Sequence, residues 1–88
     1  MAVDDLDTRR RRAAYRANHR GTKEMDWFLG RYAASILPDI TAPELDRFER
    51  FIALPDPELQ AWLTSPQLVK GREFEDLVVA VRRFHGLA

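Results

Sequence analysis

Met25, Phe28, Leu29, Tyr32 and Ile36 recur at i, i+3, i+4, i+7 and i+11 between a glycine at 21 and a proline at 38. That period marks the buried face of an α-helix and is incompatible with a strand, whose sides alternate every residue. The spacing predicts a helix from about Lys23 to Leu37, with Thr22 as its N-cap and Pro38 as its stop. The rest of the chain is punctuated in the same way. Helix one is expected from about Thr8 to Arg20, with Gly21 ending it in a left-handed conformation. Thr41-Ala-Pro-Glu44 has capping-box spacing with proline in the first turn, and Leu45, Phe48 and Ile52 form the stripe that follows.

A short fourth helix is expected with Asp56 as its cap, Pro57 at its first position, and Leu59, Trp62 and Leu63 facing inward. Thr64-Ser65-Pro66 breaks it. A fifth follows Gly71, carries Phe74, Leu77, Val78 and Val81, and frays near Gly86. No segment of four or more residues alternates like a strand, and there is no repeat or linker. The expected fold is therefore all-α: one compact five-helix bundle over residues 1–88, with 1–7 a flexible N-terminus and 86–88 a frayed C-terminus.

The composition narrows the function. A chain of 88 residues is one domain. It buries about 60–65% of its unfolded surface, which leaves little room for a deep private active site. It contains no cysteine, which removes disulfides, thiol catalysis and cysteine-bound metal. No run approaches the roughly 20 apolar residues of a membrane span, so no membrane insertion is expected. Asp4, Asp5 and Asp7 argue against a transit peptide, and a reducing cytoplasm is the expected compartment.

Fourteen basic and fourteen acidic residues cancel, so bulk charge gives no drive toward nucleic acid. The charges are segregated, however. Residues 1–20 hold six arginines against three aspartates, and residues 39–58 hold six acids against two arginines.

The candidate sites are few. Arg20-Gly21-Thr22-Lys23-Glu24-Met25-Asp26 is a tight helix junction with charge on both sides. Read locally, it is a glycine stop followed by acids at a positive helix end. Arg9, Arg12, Arg16 and Arg20 recur on one side of helix one. They suit phosphates or an acidic protein surface, though a solvated face is the commoner outcome. His19 and His85 lack metal-ligand spacing, and His19 reads as a helix C-terminal cap. Glu24 and Asp26, two residues apart, point to different sides of a helix and make no acid–base pair. There is no nucleophile elbow and no phosphate-cradling glycine loop. No cofactor or metal site and no catalytic residue is expected. Trp62 reads as core. Trp27 lies beside the apolar stripe and, partly exposed next to a charged junction, suits a protein interface.

The junction fits an RGxxE-x-D pattern. Further on, the chain has Pro55-Asp56-x-x-Leu59-x-x-Trp62. From about Arg9 to Phe84 it resembles the succinate dehydrogenase flavinylation factors, small five-helix proteins that help covalent FAD attach to a partner flavoprotein. The resemblance implies an assembly factor and not an enzyme. It would bind the flavoprotein subunit of succinate dehydrogenase, and in bacteria also that of fumarate reductase, and would be monomeric when free. In a eukaryote its compartment would be the mitochondrial matrix.

The resemblance also places Arg20, Gly21 and Glu24 on the motif's functional positions. Asp26, Arg16 and Trp27 complete the expected partner-binding set. Two positions depart from the pattern. His19 stands where many members have a second arginine, and Thr22 where a bulkier apolar residue often follows the glycine.

The competing reading is an antitoxin-like or nucleic-acid-associated regulator. Five helices are compatible with a helix-turn-helix. Against it, the chain is neutral, and helix two offers only Lys23 and Arg31 as cations to read bases.

Overall fold

The computed structural model describes residues 5–87. They form five helices: α1 (Leu6–Asn18), α2 (Lys23–Ile36), α3 (Ala42–Ile52), α4 (Asp56–Thr64) and α5 (Glu75–Phe84). Single 3₁₀ turns, Leu37–Asp39 and Pro66–Val69, follow α2 and α4. No strand occurs among the described residues. The radius of gyration, 12.8 Å, is close to the value of about 12 Å expected for one domain of this length.

Local chemistry fixes most of the boundaries. The Asp5 carboxylate accepts the Thr8 N–H at 2.7 Å and starts α1, two residues earlier than expected. Of the segment 1–7 expected to be flexible, residues 1–4 lie outside the described residues, whereas 5–7 form this cap and the first turn. Thr22 caps α2 through the Met25 N–H at 3.1 Å. Thr41 and Glu44 form the reciprocal capping box of α3. Pro38 does not end the turn outright. It sits inside the 3₁₀ segment, where its missing N–H is harmless.

At the far end, Gly86 takes φ +78°. Its N–H reaches the Arg83 carbonyl, and the Leu87 N–H reaches the Arg82 carbonyl at 2.8 Å. This is a Schellman closure. It holds 86 and 87 onto α5 where fraying was expected, and Ala88 lies outside the described residues.

Two expectations are corrected. Gly21 does not end α1: the helix stops at Asn18 with His19 as its C-cap, and positive φ occurs at Gly71 and Gly86 instead. Arg20 consequently leaves the helix and its arginine stripe. Asp56 does not cap α4. Pro55 occupies that position, with no side-chain cap bond, and the Asp56 carboxylate turns toward the α1–α2 junction.

α1 and α2 pack as an antiparallel hairpin. Gly30 lets them approach closely, because a Cβ there would collide with the Asn18 side chain. Ala13 and Ala17 of α1 and Leu29 and Ala33 of α2 are fully buried in this hairpin's share of the core. The core continues through Leu45, Phe48 and Phe51 of α3, Leu59, Trp62 and Leu63 of α4, and Val78 and Val81 of α5. Phe28 and Leu77, expected in the same core, are partly buried at its edge. Burying these side chains, at about 25 cal/mol per Å² of apolar surface, is the main stabilising term.

Candidate functional site: the α1–α2 junction

The site is a corner built from two distant stretches of chain. Arg20 leaves α1 and runs back into the molecule, its side chain only 9% exposed. Its Nε donates to Asp56 Oδ1 at 2.8 Å, Nη1 to the Ile52 carbonyl at 2.6 Å, and Nη2 to the Leu54 carbonyl at 3.1 Å. One guanidinium thus satisfies carbonyls at the end of α3 and the carboxylate that opens α4. The planar fork of arginine permits this, and the point charge of lysine would not.

The other Asp56 oxygen, Oδ2, accepts the Gly21 N–H at 2.6 Å. A Cβ on residue 21 would sit 2.9 Å from that oxygen. Glycine is required here for close approach, not for a left-handed backbone. Asp26 also closes the corner, accepting the Arg20 backbone N–H from inside α2. The junction is therefore pinned at both ends.

The remaining candidates face outward. Glu24 lies exposed in the first turn of α2, with no hydrogen bond or ion pair among the described residues. Trp27, three residues on and so neighbouring it on the helix surface, is 46% exposed. Its indole lies 4.1 Å from the His85 ring and 5.1 Å from Phe28. His85 is anchored from α5 by Nε2 donating to the Phe28 carbonyl at 2.8 Å. Phe84, exposed and with its ring 5.0 Å from that of His85, extends this apolar area. Arg16 is exposed on α1. His19 donates from Nδ1 to the Tyr15 carbonyl at 2.8 Å and stacks on the Tyr15 ring at 3.8 Å, as a C-terminal cap should.

Arg9 and Arg10 of α1 are engaged within the fold. Arg9 is clamped between Asp46 and Glu49 of α3, which raises its pKa further. Arg10 bonds Asp7 and the Ile40 carbonyl. Arg9, Arg10 and Arg20 thus bond residues of the acidic middle, while Arg11, Arg12 and Arg16 are exposed. Among the described residues there is also no cluster able to hold a metal ion.

Asp56 and His85 were not legible as site residues. Asp56 follows a proline and precedes another, which is the local signature of a helix cap. His85 lies 57 positions from its acceptor, and nothing local announces the contact.

The corner is thus pinned and charged, on a small helical scaffold, with an unpartnered carboxylate beside a half-exposed tryptophan. Residues 11–85 match the family model described as flavinator of succinate dehydrogenase, and the chain belongs to that family. It is 46% identical over 63 residues to the FAD assembly factor SdhE of Acetobacter pasteurianus, covering 72% of this chain and 58% of that one. Over 67 residues it is 33% identical to the mitochondrial succinate dehydrogenase assembly factor 2 of Yarrowia lipolytica, covering 76% of this chain and 46% of that protein. The chain thus spans roughly half the length of these curated relatives. No solved structure matches it. Among the described residues no helix is long and apolar enough to cross a membrane.

Proposed function

We propose that this protein binds the flavoprotein subunit of succinate dehydrogenase and promotes covalent attachment of FAD to it, without itself being an enzyme. The observation that carries this reading is Glu24: an exposed, unpartnered carboxylate on a rigid corner, in a chain of the flavinator family. Glu24, Trp27 and Arg16 make the client contact. Arg20, Gly21 and Asp26 hold the backbone that presents it. The fumarate reductase flavoprotein is a second client where the cell has one. The protein acts as a monomer in the cytoplasm, or in the mitochondrial matrix of a eukaryote.

Bond formation belongs to the flavin and a residue of the client. The factor contributes position, since holding two reacting groups in an attack geometry lowers the barrier without supplying a catalytic group. Tighter binding to the unfinished client than to the finished one provides release. The test is deletion and complementation in the native cell, scored by flavin fluorescence of the client subunit in a denaturing gel. Covalent flavin should disappear with the factor and return with this chain. Flavinylation unaffected by its loss would refute the reading.

A further inference from the structure

A second surface lies away from the junction. The 3₁₀ turn after α2, the start of α3 and the first half of α5 enclose a cleft of about 420 Å³. Its apolar lining includes Ile36, Phe48 and Leu77. Asp39, Glu44 and Asp76 provide its carboxylates, and Arg47 is the one cation that lines it. Arg47 is already engaged: it holds Asp76 through both guanidinium nitrogens at 2.8 Å and donates to the Glu73 carbonyl at 2.6 Å. Glu44 accepts only from Thr41, in the capping box. Asp39 has no partner among the described residues. Two carboxylates at the cleft are therefore uncompensated.

The second observation is Tyr32. It is 9% exposed, lines the cleft, and packs its ring between Phe84 at 5.9 Å and Phe48 at 6.2 Å. Its hydroxyl has no hydrogen-bond partner among the described residues. The ring is buried but the hydroxyl oxygen is reached by solvent at the cleft, where it is a polar contact open to a ligand. Burial and the fields of Asp76 and Glu44 raise its pKa, so it stays a neutral donor and acceptor.

We propose that this cleft receives a basic side chain, arginine or lysine, from a peptide segment of the client. The aliphatic stem lies on the apolar lining, and the charged head meets Asp39, Glu44 and the Tyr32 hydroxyl. Charge complementarity selects this occupant. An acidic or phosphorylated segment would meet unbalanced carboxylates, and a purely apolar one would leave Tyr32 and Asp39 desolvated and unpaired. The inference rests on the client reading only for where the peptide comes from.

The test uses the full chain, isotopically labelled, and three probes: acetyl-Leu-Arg-Leu-amide, its glutamine counterpart, and methylguanidinium chloride. Amide shifts are followed by two-dimensional NMR. The arginine peptide should give saturable shifts centred on the cleft. Asp39→Asn should weaken its binding about fivefold and Tyr32→Phe about threefold, losses typical of one hydrogen bond or ion pair. Both variants should melt like the parent chain. The Glu24→Ala protein should bind the peptide unchanged, which separates this cleft from the junction and from the flavinylation reading. Equal shifts with the glutamine peptide, a response to methylguanidinium as strong as to the peptide, or no saturable shift would each overturn the proposal.

Discussion

Arg20 and Asp56, 36 positions apart, are joined by a 2.8 Å hydrogen bond that ties the exit of α1 to the start of α4. The two sequence stretches that carried the family resemblance are therefore one physical unit. Arg20 is nearly buried and Asp56 is 20% exposed, so removing either partner strands a poorly solvated charge. Arg20→Ala and Asp56→Ala should each lower stability by about 2–4 kcal/mol. The double variant should lose less than the sum. Urea unfolding of the four proteins measures the coupling. Additive losses would show that the pair is not the clamp.

Gly21 should behave as a contact glycine. Gly21→Ala should cost about 1–2 kcal/mol, because its Cβ would press on Asp56 Oδ2. In an Asp56→Ala background the same change should be almost neutral. A left-handed glycine would be sensitive in both backgrounds, so the pair of unfolding curves decides between the two.

Trp62 sits in the core with Leu59 and Leu63. Trp62→Ala should cost about 3–5 kcal/mol, a large share of what so small a domain possesses. The expected result is a melting transition lowered by many degrees or lost, read by circular dichroism. An unchanged melt would remove Trp62 from the core.

Stability should fall in acid. The Asp5 carboxyl is held below its usual range by the Thr8 N–H, that of Glu44 by the Thr41 N–H, and that of Asp76 by the Arg47 guanidinium. A folded pKa below the unfolded one means that the unfolded chain binds protons more readily. The contribution is complete above the unfolded carboxylate value, about 4, and is lost as pH falls through the folded values. Melting temperature should be flat from about pH 7 to 5 and should decline below about 4, with Asp76→Asn and Glu44→Gln reducing the decline.

What the sequence revealed and what it hid follow from the range of the forces involved. The stripe of α2, the capping box at Thr41 and the Thr22 cap are set by neighbours within one or two turns, so they could be read directly. The inward course of Arg20, the tilt of Asp56 away from its own helix, and the His85 contact with Phe28 depend on partners brought in by tertiary packing. Local spacing therefore misassigned Gly21 and Asp56, and read the junction itself as an ordinary glycine stop followed by acids at a helix end. In the arginine stripe, Arg9 bonds Glu49 and Arg20 bonds Asp56, partners that helix periodicity cannot see, while Arg12 and Arg16 are exposed as a solvated face would be. Trp27 was legible as peripheral because it stands off the apolar stripe, but the histidine it packs against was not.

Glu24→Ala tests most directly whether the pinned corner presents Glu24 to a client. The carboxylate contributes only about 0.3–1 kcal/mol through the dipole of α2, so the variant should fold and melt nearly as the parent does. Covalent FAD on the succinate dehydrogenase flavoprotein, scored by fluorescence in a denaturing gel from cells whose factor is replaced by the variant, should be lost. Normal flavinylation supported by a folded Glu24→Ala protein would contradict the account.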